Sequence, residues 1–583
     1  MKHEHKLIAL LLCLAMLLGL LAGCGSSQSA ASEADAEASD AGDAVASAEE
    51  PPEDTPEAVQ DEGSASELAE AAVEGSEVEE AAEIQEDDEL FTWGKISFHP
   101  TEIPLPLTDE DVTLSLWTDF LPPLFAAMNG MEDNSVYIEL EKRTGVDLDI
   151  TSVAITDAST QASLLVASGD FPNLWYGFVN YYGGTIDSAV EDEIVYNLAD
   201  YKEFMPNYFA MIDENENLRK DTYTDSGVMA QTYGVFADPK STQGLALRKD
   251  WLEAQGLDVP VTYDDYYEVL TSFKNNYDAV YWMNANGEQY FSAGYDVIPG
   301  FMVRDGKVEY GFMEDAYLDY LTMMNKWYSE GLIWKDFATS STNMDEAAAG
   351  TGEYGVFDMS LSKYDLIMSN DATGEMAFQG ATPAVKEPGQ MLHTGQKPST
   401  LGFKGISLST SCPEDYLEIA LQWLDYWFTP DGSYLANYGV EGEAYNLVDG
   451  EIVWTELMTN NPELNFTWAM NKYAMASGPF IMDGDKIYSD YNDAQWELMD
   501  VYNSEYTDYA YTMPAVSLTT EESDIYTSTY NDINTYVSET VLLFINGDKP
   551  LDEFDEFVEN IRNLGIQDCL DCQQAAYDRY LKR

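Results

Sequence analysis

The chain has 583 residues, and its 106 Asp and Glu residues against 27 Lys and Arg residues give a formal net charge of −79 at pH 7. Such a negative field repels nucleic acid and other polyanions, so neither is expected as a partner. The length and the 45% hydrophobic content are sufficient for two sizeable domains.

The chain begins with the pattern of a secretory signal peptide. Two lysines precede an apolar run over 7–21, which is short for a stable transmembrane helix, and no comparable run follows it. The sequence Leu-Ala-Gly-Cys at 21–24 resembles a bacterial lipobox, in which the cysteine thiol receives diacylglycerol and the peptide is cut just before it. We therefore expect residues 1–23 to be a lipoprotein signal peptide and Cys24 to carry the lipid. A retained membrane anchor with a chance cysteine is the alternative.

A strongly acidic segment follows. Between Cys24 and Lys95 the chain is mostly Ala, Ser, Glu and Asp and has no basic residue. Such a segment cannot bury enough apolar surface to offset its ordering entropy, so residues 24–92 are predicted to be a lipid anchor and a disordered acidic linker. The linker either spaces a domain from the membrane or merely keeps it soluble.

Strands and helices then alternate in the pattern of a parallel, doubly wound α/β sheet. The pattern predicts strands at 111–119, 146–153 and 174–176, and helices at 137–143 and 161–168. Ligands of such sheets bind beyond the carboxyl ends of the strands. The residues expected there are Trp117, Asp119, Trp175 and Tyr176.

A second α/β unit begins after a strand at 234–237. Residues 245–256 predict a strand and a helix that stops at glycine, and Thr262 is the predicted cap of the next helix. Later elements are strands at 354–358 and 405–409, an amphipathic helix at 413–428, and terminal helices after residue 532.

Cysteine and histidine leave little for catalysis. Apart from Cys13 and Cys24, the cysteines are Cys412, Cys569 and Cys572, and the single C-x-x-C at 569–572 indicates a local disulfide or two free thiols rather than zinc or redox chemistry. Histidine bases are almost absent after the signal peptide. The 39 Tyr, 23 Phe and 12 Trp residues favour an aromatic-lined cleft, although most of them must be structural.

Five stretches resemble the extracellular solute-binding lipoproteins of bacterial ABC importers, the family of maltose- and oligosaccharide-binding proteins. They lie at 140–145, 167–173, 245–251, 423–432 and 437–442. The resemblance implies a fold of two α/β lobes with a ligand cleft between them and a hinge that closes over the ligand. It places the N-terminal lobe at 105–236 and 402–470 and the C-terminal lobe at 237–401 and 471–583.

The resemblance also implies the binding positions. They are Trp117, Asp119, Trp175, Tyr176, Asn180, Tyr181, Tyr233, Asp358, Glu441 and Trp468. Trp175 and the loop aromatic Trp468 are the leading candidates for stacking on a sugar, whereas Asn180 stands where relatives carry an acidic residue. The loop at 282–288 lacks the leading aspartates of the calcium loops in some relatives, so no metal is expected.

The function implied is capture of a neutral sugar or oligosaccharide and its delivery to an ABC permease. The protein is expected to be a monomer, to need no cofactor, to have no catalytic residues, and to be lipid-anchored on the extracytoplasmic face of the cell membrane. The alternatives are a surface glycoside hydrolase, a peptide- or other-solute-binding protein, and a sensor ectodomain.

The lipid assignment can be tested on Cys24. We expect Cys24→Ser to release the protein from the membrane fraction, because the thiol that would receive the diacylglycerol is lost. Immunoblots of membrane and soluble fractions measure this, and Cys13→Ser is the matched control. Retention of the Cys24→Ser protein in the membrane fraction would contradict the assignment.

Overall fold

The computed structural model describes residues 90–283, 289–339, 344–394, 397–504 and 507–583. The predicted signal peptide, Cys24 and almost all of the acidic linker lie outside these residues, as do residues 284–288 of the loop considered for calcium.

The described residues form a mixed α/β structure. Its strands are β1 (Phe91–Trp93), β2 (Ile96–Phe98), β3 (Val112–Phe120), β4 (Val146–Ala154), β5 (Leu174–Tyr176), β6 (Thr232–Phe236), β7 (Gln243–Arg248), β8 (Val280–Tyr281), β9 (Phe301–Arg304), β10 (Lys307–Tyr310), β11 (Tyr354–Ser360), β12 (Phe378–Ala381), β13 (Leu392–His393), β14 (Leu401–Leu408), β15 (Tyr445–Val448), β16 (Glu451–Trp454), β17 (Ile481–Met482) and β18 (Thr507–Asp508).

The α-helices come between and after these strands. They are α1 (Ser135–Thr144), α2 (Ile155–Ser168), α3 (Phe178–Tyr181), α4 (Ile186–Glu191), α5 (Pro206–Glu214), α6 (Glu216–Thr222), α7 (Lys249–Gln255), α8 (Tyr263–Tyr277), α9 (Gln289–Ser292), α10 (Asp315–Ser329), α11 (Glu346–Thr351), α12 (Tyr364–Met368), α13 (Leu417–Tyr426), α14 (Pro430–Tyr438), α15 (Glu456–Thr459), α16 (Phe466–Tyr473), α17 (Gly484–Ile487), α18 (Asp493–Tyr502), α19 (Thr520–Asn546), α20 (Phe554–Asn563) and α21 (Ile566–Tyr580). Over the described ranges, no helix is both long and apolar enough to cross a bilayer.

A six-stranded sheet carries the first predicted α/β unit. Its strand order is β17-β6-β14-β5-β3-β4. β3 runs parallel to β4 and β5, which confirms the predicted parallel start. β14 runs antiparallel to both β5 and β6, so the sheet is mixed rather than wholly parallel. The strand direction reverses because the chain leaves this sheet at the end of β6 and re-enters it at the same edge to form β14.

A four-stranded sheet carries the second unit, in the order β12-β7-β11-β8. β7 is antiparallel to β11 and β12, whereas β11 is parallel to β8. β7 therefore begins at the edge of this sheet at which β11 and β12 end. We call the six-stranded sheet with the helices packed on it the first lobe, and the four-stranded sheet with its helices the second lobe.

The chain passes between the two sheets three times. The first passage lies between β6 and β7, the second between β12 and β14, and the third between β17 and α18. Since β17 pairs with β6, the chain is still in the six-stranded sheet at residues 481–482. The lobe limits given by the sequence stay a proposal, and this pairing favours a third passage after residue 482.

Local signals in the sequence account for several element ends. Gly145 and Gly256 adopt left-handed conformations and end α1 and α7, as expected. Thr262 and Asp265 form the predicted capping box at the start of α8. Two boundaries differ: α2 begins at Ile155 rather than near 161, and the long terminal helix α19 begins at Thr520.

Each lobe has its own apolar core. Leu114, Leu116 and Ile406 lie in the core of the first lobe, which also contains Trp427. The core of the second lobe includes Leu245, Trp327 and Phe544. The three cysteines of the described chain are buried free thiols, so the C-x-x-C in α21 is not a disulfide.

An ionic cluster joins the two lobes. Asp225 follows α6, whose Leu218 lies in the core of the first lobe, and its carboxylate accepts from Arg579 Nε at 2.5 Å and from Arg583 Nε at 2.7 Å. Arg579 belongs to α21, which packs in the core of the second lobe through Ile566. Glu522 accepts two further hydrogen bonds from Arg579. The contact therefore links the lobes in addition to the three passages of the chain.

We expect Asp225→Asn to lower the free energy of unfolding by about 2–3 kcal/mol, because it leaves two partly buried arginines without their shared carboxylate. Asp278→Asn removes the partner of Lys274 in an exposed i,i+4 pair and should cost no more than about 0.5 kcal/mol. Urea unfolding of both variants measures the difference. Equal stability of the two variants would show that the interlobe cluster does not stabilise the fold.

Candidate functional site

A cavity of about 210 Å³ lies at the carboxyl ends of β3 and β5, at the edge of the first lobe where the chain passes to the second lobe. The sequence predicts the ligand-binding site at these strand ends. Among the described residues that line it are Thr118, Asp119, Phe120, Leu124, Tyr137, Tyr176, Lys404, Asn471, Met475 and Ser477.

An ion pair forms the polar side of the cavity. Asp119 is the penultimate residue of β3 and accepts hydrogen bonds from Lys404 Nζ and from the Tyr181 hydroxyl. Lys404 Nζ also donates to the Tyr181 oxygen at 2.8 Å, which closes a triangle of three side chains. The side chains of Asp119 and Lys404 are each 6% exposed. Burying either charge alone would be costly, so each stabilises the other in this position.

The tyrosines around this pair stay protonated at neutral pH. Burial raises the pKa of Tyr176 to about 12. Burial raises the pKa of Tyr181 as well, and its hydrogen bond to Asp119 acts in the same direction. Their phenol groups therefore remain neutral hydrogen-bonding groups beside the ion pair.

The other side of the cavity is apolar. Phe120, Leu124 and Met128 form a small buried cluster next to it, and Trp468 packs against that cluster. Trp468 lies in helix α16, so its assignment to a loop was wrong; Asn465 caps this helix by accepting from the Trp468 amide at 3.0 Å. The Trp468 side chain is half-buried, and Trp468 is the accessible one of the two leading stacking candidates.

Trp117 and Trp175 lie behind the cavity in a separate core cluster. They are 4% and 0% exposed, and their ring centroids are 5.7 Å apart. The two residues pair in register on β3 and β5, and α2 covers them with Ala158 and Ala162. Neither ring offers a face to a ligand in this conformation. Trp117 instead contacts the ring of Tyr181 edge-on and helps to hold it against Asp119.

The remaining predicted positions are spread over the two lobes. Asn180 is exposed on α3 beside Tyr181, and Glu441 is exposed in the loop after α14. Tyr233 lies half-buried on β6, and burial raises its pKa to about 12. The cavity thus brings together Asp119, Tyr176 and the Tyr181 hydroxyl, but not Asn180, Tyr233 or Glu441.

Asp358 belongs to the second lobe. It accepts from the Tyr290 hydroxyl at 2.6 Å and from Gln243 Nε2 at 2.5 Å. Burial raises the pKa of its carboxyl group, and these two hydrogen bonds oppose that rise. Gln243 begins β7 and Asp358 lies near the end of β11, so this polar group occupies the edge of the second sheet from which the chain passes to the first lobe.

Several residues of the cavity were not predicted. Lys404 stands alone as a basic residue in the strand at 401–408, which is the one signal that could have singled it out. Tyr137, Asn471 and Ser477 line the cavity as well. Nothing local in the sequence marks them, because α1 and the segment after α16 reach the cavity only through the tertiary fold.

Comparison with known proteins gives concordant matches. The family model of the bacterial extracellular solute-binding proteins matches residues 136–443. Lipoprotein LipO of Bacillus subtilis strain 168 is 27% identical over 477 residues, which cover 75% of this chain and 88% of LipO. The fructooligosaccharide ABC transporter substrate-binding protein FusA of Streptococcus pneumoniae serotype 4 is 24% identical over 478 residues, which cover 76% of this chain and 86% of FusA.

Solved structures share the fold. An HMO-binding, ABC-transporter-associated solute-binding protein of Bifidobacterium longum infantis superposes with a TM-score of 0.67 at 18% identity, over 81% of this chain and 99% of that one. FusA in complex with kestose gives a TM-score of 0.64 at 20% identity, over the same shares of the two chains. These matches confirm the predicted α/β fold with two lobes.

The burial of Trp175 can be tested directly. We expect Trp175→Ala to lower the free energy of unfolding by about 3–5 kcal/mol, because it opens a cavity in a packed core. Trp468→Ala, at a half-buried position, should cost distinctly less. Urea unfolding followed by circular dichroism measures both variants. A Trp175→Ala protein as stable as the wild type would contradict the core position of this ring.

Proposed function

Because this chain belongs to the bacterial extracellular solute-binding proteins, we propose that it captures a neutral oligosaccharide in the cavity at the ends of β3 and β5 and passes it to an ABC permease. The observation that carries the choice of ligand is the ion pair of Asp119 and Lys404 inside the cavity.

The charges of the cavity cancel. Among the described residues that line it, Asp119 and Lys404 are the charged ones, and they neutralise each other at hydrogen-bonding distance. An anionic or cationic ligand would have to break this pair or bring its own charge into a site with no net opposite charge, which is costly in a buried position. A neutral ligand rich in hydroxyl groups can instead accept from Lys404 and donate to Asp119 without disturbing the charge balance.

The apolar side of the cavity suits the same class of ligand. One face of a sugar ring presents C–H groups, which can pack on Phe120, Leu124 and Met475. At about 210 Å³ the cavity is below the range of about 300–1,000 Å³ that is usual for small-molecule sites. We therefore propose that it holds one end of an oligosaccharide and that further rings extend toward Asp358 and the second lobe.

The relatives support a role in transport. FusA is named as a substrate-binding protein of a fructooligosaccharide ABC transporter, and LipO is named as a lipoprotein. For this chain we propose a monomer that is held to the extracytoplasmic face of the membrane by lipid on Cys24.

Turnover of the sugar is not part of this proposal. Glycoside hydrolysis needs two carboxyl groups about 5–9.5 Å apart across the scissile bond. Asp119 is the one carboxylate among the described lining residues, so the lining does not supply the second carboxyl group; Lys404 and Tyr181 both donate to Asp119 Oδ2, which leaves Oδ1 for a ligand hydroxyl. The geometry supports binding without chemistry.

Calorimetric titration of the purified protein with a panel of sugars tests the proposal. The panel contains kestose, nystose and maltotriose as neutral ligands and trigalacturonate as an anionic one. We expect binding within the neutral group, no binding of trigalacturonate, and no release of reducing ends. Tight binding of trigalacturonate alone, or cleavage of a panel sugar, would overturn it.

A substitution in the ion pair should change the specificity. We expect Asp119→Asn to weaken binding of the neutral sugar by about 10- to 100-fold, because a charge-assisted acceptor is lost, and to give measurable affinity for trigalacturonate, because Lys404 is no longer neutralised. Titrations with both sugars measure this change. Asp415→Asn, at an exposed carboxylate before α13, is the control and should bind as the wild type does.

Thermal melts accompany these titrations, since breaking a buried pair also costs stability. An Asp119→Asn protein that is folded and has unchanged affinity for the neutral sugar would contradict the role given to the pair.

A further inference from the structure

One wall of the cavity is a segment without regular structure. Asn471 lies in the last turn of α16, and Met475, Ala476 and Ser477 follow before the chain reaches β17. Backbone groups in such a segment have no helix or strand partners, so other groups must satisfy them where they are buried. The position of this wall therefore depends on the side chains that hold it.

Buried side chains supply these hydrogen bonds. Asn134 Nδ2 donates to the carbonyl oxygens of Asn471 and Ala474, each at 2.9 Å. Lys486 Nζ donates to the carbonyl oxygen of Met475 at 2.7 Å. Asn134 is 0% exposed and Lys486 is 3% exposed, although neither lines the cavity. The wall is thus held from behind.

Lys486 also connects this wall to two neighbouring elements. Its Nζ lies 3.3 Å from Oδ1 of the buried Asn437 in α14. Asn437 Oδ1 in turn accepts from the Asp483 amide at 3.0 Å, and its Nδ2 donates to the carbonyl oxygen of Ile481 in β17 at 2.7 Å. Lys486 itself lies in α17, where the chain begins its third passage between the lobes. The Lys486 amine therefore connects the wall, through the Met475 carbonyl, with β17 at the edge of the six-stranded sheet, through Asn437.

We infer that Lys486 is a positioning residue for the ligand site: by holding the Met475 carbonyl it fixes the wall at 475–477 and so raises the affinity of the cavity for its ligand. This inference rests on the proposed function. A methionine would fill nearly the same space without the cost of burying an amine, so what the lysine adds at this position is its hydrogen-bond donors.

The ionisation of this amine gives a second, ligand-independent signature. Burial lowers the pKa of Lys486 to about 7, and the nearby Asp483, which accepts from the Tyr438 hydroxyl, opposes that shift. Between pH 7 and the ordinary lysine pKa of about 10.4, the unfolded chain binds a proton that the folded chain has lost. Stability should therefore rise with pH across this window, and removal of the amine should reduce the rise.

The test compares the wild type with Lys486→Met and with the control Lys274→Met, which removes a half-exposed lysine of an i,i+4 pair. Hydrogen exchange without sugar comes first. We expect amides in peptides spanning 471–480 to exchange about ten-fold faster in Lys486→Met, while peptides within α19 keep their rates. The rise in melting temperature between pH 7 and 9.5 should be smaller in this variant than in the wild type and the control.

Affinity is then measured with kestose as the probe. We expect the dissociation constant of Lys486→Met for kestose to be about 3- to 30-fold higher than that of the wild type and of Lys274→Met. Unchanged exchange at 471–480, faster exchange throughout the protein, or an unchanged dissociation constant would each overturn the inference. If the wild type itself does not bind kestose, then kestose is not a ligand of this protein. The exchange experiment still decides whether Lys486 fixes the position of the wall.

Discussion

The ion pair between Asp119 and Lys404 is the interaction on which the site depends. Both side chains are almost completely buried, and neither charge could occupy its position without the other. The pair also joins distant parts of the chain, because Asp119 lies near the end of β3 and Lys404 belongs to β14, where the chain re-enters the sheet from the second lobe. The polar side of the cavity therefore combines residues that come before and after the segment of the chain that builds much of the second lobe.

The geometry of the two sheets explains why polar groups gather where they do. β3, β5 and β6 end, and β14 begins, at one edge of the first sheet; β7 begins, and β11 ends, at the facing edge of the second. At the end of a strand, a side chain can lie at the edge of the sheet rather than on its packed face, and the backbone that follows lies outside the core. Asp119 near the end of β3 and Asp358 near the end of β11 are the two carboxylates that this arrangement places at the facing edges. Lys486 lies where the chain begins its last passage between the sheets, and its buried amine donates to the Met475 carbonyl oxygen in the wall of the cavity. The same side chain therefore contacts both the wall and the start of this interlobe connection.

Much of the first lobe could be predicted from local sequence. The alternation in β3, the glycine after α1 and the capping box of α8 are short-range signals, and the structure has each of them where expected. The antiparallel course of β14 could not be predicted, because strand direction depends on a crossing that involves the whole second lobe. Alternation places Trp117 and Asp119 on the same face of β3, but only the tertiary structure shows that α2 covers the tryptophan and leaves the carboxylate at the open end. For the same reason Lys404 could not be predicted from the sequence, since its partner lies 285 positions away.

We propose that the cavity beside Asp119 and Lys404 binds a neutral oligosaccharide. The most direct measurement is a crystal structure of the protein grown with the neutral sugar that binds it most tightly. We expect electron density for a sugar ring in this cavity, with its hydroxyl groups at hydrogen-bonding distance from the Asp119 carboxylate and Lys404 Nζ and its apolar face on Phe120 or Met475. A saturated crystal in which the sugar occupies another site, with this cavity filled only by water, would contradict it.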